Sequence, residues 1–134
     1  MYESSFADAF GKLILRLSVG GLVLLHGIAK FMHPGSLDFI VARLDANGLP
    51  SALAYGVYLG EILAPLLLIF GIFTRFGAFM IVVNMLFAIG LAHSTELLVL
   101  TKHGGWQLEL QGMYLFGALA IMFMGAGRFA LTRD

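Results

Sequence analysis

The chain has 134 residues, of which 60% are hydrophobic and only 12% charged, and its eight Lys/Arg balance its eight Asp/Glu. Soluble domains carry roughly 25% charged residues, so too few polar side chains are present here to cover a soluble globule. Disorder needs low hydrophobicity and high charge and a nucleic-acid binder needs a basic patch, which leaves an integral membrane protein.

A membrane-crossing helix needs about 20 mostly apolar residues, and four stretches supply them, at residues 12–32, 51–73, 76–93 and 108–126. The expected fold class is therefore an all-α integral membrane protein, one four-helix transmembrane domain over residues 1–134. In the first stretch Lys12 and Arg16 precede the apolar run, and Gly27-Ile28-Ala29 loosely suits a signal-peptide cleavage site. The run continues into His26 and Lys30, so a retained helix is expected. Pro34-Gly35 ends it, Ser36 suits an N-cap, and Leu37, Phe39, Ile40 and Leu44 then share a helical stripe. Asp38, Arg43 and Asp45 fall elsewhere, which predicts a short amphipathic helix on the membrane surface, closed by Asn47-Gly48. Pro50 suits the first turn of the second long helix. Close packing is expected at Gly56 and Gly60, a GxxxG, and at Gly20, Gly21 and Gly27 of the first helix. Thr74-Arg75 alone joins the second and third helices, which predicts a tight antiparallel hairpin. The last connection carries Glu96, Lys102, His103 and Trp106, the tryptophan as an interfacial anchor. Lys12, Arg16, Arg75, Arg128 and Arg133 lie on the side of both termini, against Lys30, Arg43 and Lys102 opposite, which favours cytoplasmic termini. Zero cysteines exclude thiol catalysis, Cys-ligated zinc and disulfides.

An ionisable group at mid-membrane costs on the order of 2.5–3.5 kcal/mol on insertion scales, so each one needs an account. Arg16, Val19, Val23, His26, Lys30 and His33 share one stripe of the first helix, expected to face the bundle. Arg16 has a snorkelling route to the headgroups. Lys30 has one too, but His26 is too short and needs a partner. Glu61 lies ten residues into the second helix, and Pro65 removes the hydrogen bond to the Glu61 carbonyl, so a kink with a free oxygen is expected beside a buried carboxylate. Tyr58, one turn earlier, would complete a polar pocket. The alternative is a structural salt bridge from Glu61 to Lys30 or His26. Asn84 suits an interhelical hydrogen bond. Gln111 and Tyr114 stand one turn apart on the fourth helix, and Glu109 suits a helix N-terminus. His26, Lys30, Tyr58, Glu61, His93, His103 and Glu109 are all expected in the half of the bundle away from the termini, with Glu61 and His26 as candidates for chemistry. No single-ion metal site is expected on the first helix, because His26 and His33 stand seven residues apart, about 10 Å along a helix.

The order of short motifs resembles the DoxX family of small four-helix bacterial membrane proteins. The pieces are Leu-Leu-His-Gly-Ile-Ala-Lys-Phe (24–31), Gly-Leu-Pro (48–50), Gly-Glu-Ile-Leu-Ala-Pro (60–65), Gly-Ile-Phe-Thr-Arg (71–75), the His near the end of the third helix, and Gly-Ala-Gly-Arg-Phe-Ala-Leu (125–131). The resemblance implies an inner-membrane location and a link to quinone-dependent sulfur oxidation, terminal oxidase complexes or oxidative-stress responses. It carries over to His26, Lys30, Glu61, Arg75 and His93. The expected function is a subunit of a quinone-linked redox system with a quinone-like pocket near His26 and Glu61; if it is an enzyme, it is a quinone-dependent oxidoreductase subunit. A His with a carboxylate exchanges protons near neutral pH, and electrons would come from a partner subunit or a bound cofactor. Two alternatives are a haem carrier using His26 and His93, and a non-catalytic scaffold or small-molecule permease. Lipid, a soluble or membrane redox partner and further copies of the chain are the expected contacts.

Overall fold

A computed structural model describes residues 5–33, 35–92 and 98–132, without the side chains of Ser36 and Ala92. The described residues are helical apart from turns and one isolated bridge between Leu100 and Trp106. Helix α1 runs Phe6–Met32, α2 Ser36–Ala46, and α4 and α5 Thr74–Ala92 and Glu109–Met124. Between them, α3 covers Ser51–Phe70 but is no single regular helix. It opens as a 3-10 turn at Ser51–Tyr55, passes through an α turn at Gly56–Tyr58 and a π segment at Leu59–Leu63, and ends as α-helix at Ala64–Phe70. Helices α1, α3 and α4 are long and apolar enough to cross a membrane; α5 is apolar and shorter.

Several ends differ from the sequence expectation for identifiable reasons. The Ser5 side chain accepts from the Asp8 backbone N–H, so α1 starts six residues before Lys12, in a stretch whose polarity hides it. Gly71, at φ +71, stops α3, and the turn to α4 is Gly71-Ile72-Phe73, with Thr74 already helical. Gly35 holds the cap position of α2, and Ser36 is its first helical residue. Asn47 and left-handed Gly48 close α2 as expected.

The main core joins Val19 and Val23 of α1, Ala64 and Leu68 of α3, Ala78, Ile81 and Met85 of α4, and Tyr114, Ala118 and Ile121 of α5. A second, smaller cluster (Leu37, Leu44 and Ala54) fixes α2 against the start of α3. Large apolar side chains such as Leu17, Leu22, Leu25, Phe79 and Phe116 face outward toward lipid. Of the expected glycine contacts, Gly20 and Gly27 pack on α3, whereas a methyl group added at Gly21 or Gly56 would have no atom within 4 Å.

Arg16 does not snorkel. It is 1% exposed, and its Nε donates to the Leu68 carbonyl at 2.9 Å while Nη2 donates to Ile69 at 3.3 Å. Nη1 donates to Ala126 and Phe129 at 3.0 and 2.6 Å. The carbonyls of the last turn of a helix lack intrahelical donors and carry the negative end of its dipole. The guanidinium therefore neutralises the end of α3 and fastens the chain after α5 to it. That tail also donates from Leu131 and Thr132 backbone N–H groups to Phe70 and Gly71 carbonyls. Snorkelling would have taken the guanidinium away from the Leu68, Ile69, Ala126 and Phe129 carbonyls. Arg16→Met is expected to lower stability by about 3 kcal/mol or more, given about 1.5–3 kcal/mol per hydrogen bond to a charged group. Arg16→Lys should recover only part, lacking the planar fork. Thermal unfolding in detergent checks both.

Candidate functional site around Glu61

Glu61 lies in the π segment, 4% exposed. Pro65 has no N–H for the Glu61 carbonyl, and the backbone answers with a wider turn, the Ala64 N–H reaching back to the Leu59 carbonyl. The expected kink is thus a π segment. The Glu61 carbonyl faces Gly27 of α1 so closely that any side chain there would collide with it. Gly27 is therefore a requirement of helix contact, as the sequence suggests for such glycines.

The carboxylate is held from two directions. Lys30 Nζ donates to Oε1 at 2.5 Å and Asn84 Nδ2 to Oε2 at 2.8 Å. Lys30 thus turns inward to an ion pair instead of reaching for headgroups. Asn84 reaches Glu61 because Gly60 leaves room, a methyl there falling 2.5 Å from Asn84 Cβ. Three helices, α1, α3 and α4, are thereby joined at one acidic group.

This network forms one wall of a cavity of about 370 Å³ lined mostly by apolar groups. Its polar lining comprises His26, Lys30, Arg43, Glu61, Asn84, Gln111 and Tyr114. The His26 ring meets the Tyr114 ring edge-on at 5.7 Å. Helix α2 covers the cavity with Phe39, Ile40 and Arg43, the guanidinium lying 4.9 Å from the centroid of the Phe39 ring. Apart from Glu61, these polar side chains can all donate hydrogen bonds.

Of the expected site residues, His26, Lys30 and Glu61 meet at this cavity. Tyr58 does not: it packs edge-on against Phe31 at 5.7 Å and beside the Leu37–Leu44–Ala54 cluster. The π turn advances less rotation per residue than an α turn, so three positions no longer bring Tyr58 and Glu61 to one face. Glu109 sits exposed in the first turn of α5, beside Gly105, and does not line the cavity. His103 is exposed in the preceding loop. His93, and with it the proposed second haem ligand, lies outside the described residues. Sequence reasoning misses Arg43, since its place off the apolar stripe of α2 suggests a solvated charge. Gln111 and Tyr114 carry a signal in their one-turn spacing, and Asn84 in its polarity amid an apolar helix.

Long apolar helices, outward-facing apolar side chains and a compensated charge at their interior define a helical membrane protein. The chain belongs to the DoxX family, whose model matches residues 11–94. It is similar to an uncharacterized protein of Haemophilus influenzae, 37% identical over 123 residues, covering 87% of this chain and 84% of the relative. It is also similar to an uncharacterized membrane protein of Mycobacterium tuberculosis, 31% identical over 135 residues, covering 90% of this chain and 78% of the relative. No solved structure matches the chain.

Breaking a buried ion pair by removing one partner costs about 3–5 kcal/mol, because a charge is left alone. Lys30→Met is therefore expected to destabilise strongly, and adding Glu61→Gln should restore most of the loss. Unfolding of both single variants and the double variant measures this coupling. Additive losses would show that the two side chains act separately.

Proposed function

We propose that the chain is the membrane subunit of a quinone-linked redox system and binds a quinone ring in the cavity beside Glu61. The observation that carries this reading is the composition of the cavity. An apolar chamber of about 370 Å³ has hydrogen-bond donors on several walls and one buried carboxylate. A quinone is its chemical complement: a flat apolar ring whose two carbonyl oxygens accept hydrogen bonds. Pockets for small molecules commonly start near 300 Å³ and combine apolar walls with a few placed polar groups. Reduction to the quinol takes two electrons and two protons. The electrons come from a redox partner protein, and His26 and the Lys30–Glu61 pair exchange the protons with the ring oxygens. Arg43, Gln111 and Tyr114 hold the oxygens and exclude other orientations.

In this reading the chain is one domain with four membrane spans in the bacterial inner membrane. Helix α5, about 24 Å long at about 1.5 Å per residue, is short for a hydrocarbon layer of about 30 Å; its packing along α4 and the nearby Trp106 support it as the fourth span. Helix α2 lies at the interface as a cover for the cavity, and the Lys/Arg bias puts both termini in the cytoplasm.

Binding of a tailless benzoquinone to the purified protein tests the reading. Glu61→Gln should weaken it at least about tenfold, equivalent to about 1.4 kcal/mol. Arg43→Leu, at an exposed position of helix α2 and outside the Glu61 network, should weaken it about fivefold without lowering the unfolding temperature. Unchanged binding in both variants, or none to the unaltered protein, would overturn the proposal.

A further inference from the structure

A second space adjoins the cavity beside Glu61. It is an almost wholly apolar groove of about 380 Å³ along the outside of α3 and α4. The two spaces share Ile40, Val57, Asn84, Phe87 and Leu91 in their linings. On α4 the groove follows Phe76, Phe79 or Met80, Val83, Phe87 and Leu91, spacings of three and four that make one stripe of a helix. That stripe is about 22 Å long at about 1.5 Å per residue. A compact ligand would leave most of such a groove empty, whereas an extended chain follows it.

Gly56 gives an independent sign. It stands four residues before Gly60, where a helix-packing glycine would be expected, yet a methyl group added there would have no atom within 4 Å. Its φ of −60° is open to any residue, so neither contact nor backbone explains the missing side chain. What Gly56 does line is the groove.

We infer that the site takes a single-chain amphiphile, with its polar ring in the cavity beside Glu61 and its long apolar tail in the groove between α3 and α4. This rests on the proposed quinone reading for the head and adds an isoprenoid-like or alkyl tail. Because Phe79 and Phe87 are exposed to lipid, the tail slides in sideways from the bilayer and the ring follows across the rim of Val57, Phe87 and Leu91 that the two spaces share. Lateral loading needs no opening through α2.

Two photoreactive probes test this with the full chain in phosphatidylcholine nanodiscs. Both carry a ten-carbon chain ending in a diazirine; one bears a benzoquinone ring and the other a hydroxyl. The quinone probe should label Phe79–Phe87 at least about fivefold more than the equally lipid-facing Leu17–Leu25 side of α1. Gly56→Phe should abolish that excess while binding of tailless benzoquinone stays within about threefold, and Gly56→Ala should retain the excess. If the hydroxyl probe shows the same excess while no quinone binds, the groove stands and the quinone reading falls. Even labelling of both faces, or an excess untouched by Gly56→Phe, would overturn the groove whatever the tailless ring does.

Discussion

A carboxylate buried among apolar helices must be compensated, and much of this structure follows from how Glu61 is. An isolated charge in such surroundings costs several kcal/mol or takes up a proton. Compensation here comes from two other helices, Lys30 on α1 and Asn84 on α4. Each partner reaches Glu61 only because a glycine lets backbones approach: Gly27 against the Glu61 carbonyl, Gly60 against Asn84. Pro65 contributes by forcing the π segment that turns this stretch of α3. Five residues of quite different chemistry thus serve one acidic group.

The two ends of the bundle solve the same problem differently, and the contrast separates structure from candidate function. At the end with the termini, Arg16 commits its donors to four backbone carbonyls and is sealed from solvent. Its donors point at main-chain oxygens of this chain, not at an open space. At the other end Glu61 is satisfied by Lys30 and Asn84, but His26, Arg43 and Gln111 border open space. Several polar groups converging on one mostly apolar cavity are the usual mark of a binding site.

The class of protein and the long apolar elements are legible in the sequence because hydropathy and length decide them. So is the importance of Glu61, because a carboxylate in an apolar helix must find a partner, and Lys30, one of the two expected, is the one it meets. What fails is local geometry. Alpha-helical arithmetic places Tyr58 and Glu61 on one face, and the π segment changes the period between them. The position of Arg16 near a helix end suggests snorkelling, but the carbonyls that hold it belong to residues 68–69 and 126–129, contacts that no local spacing reveals. Arg43 likewise needs the tertiary docking of α2 to become part of a cavity wall.

The position of α2 bears on how the cavity is reached. Leu37 and Leu44, with Ile40 beside them, anchor it against Ala54, whereas Phe39, expected on the same stripe, lies apart from that cluster and roofs the chamber with Arg43. Opening the chamber from above would expose that cluster by lifting Leu37 and Leu44 away from Ala54. Along α4, by contrast, the chamber adjoins a groove walled by side chains already in lipid. Moving an apolar ligand through that side costs little desolvation, since lipid and groove are alike to it. The polar network is then met last, where Asn84 borders both spaces and already holds the Glu61 carboxylate. A site arranged this way favours amphiphiles drawn from the bilayer over polar solutes drawn from water.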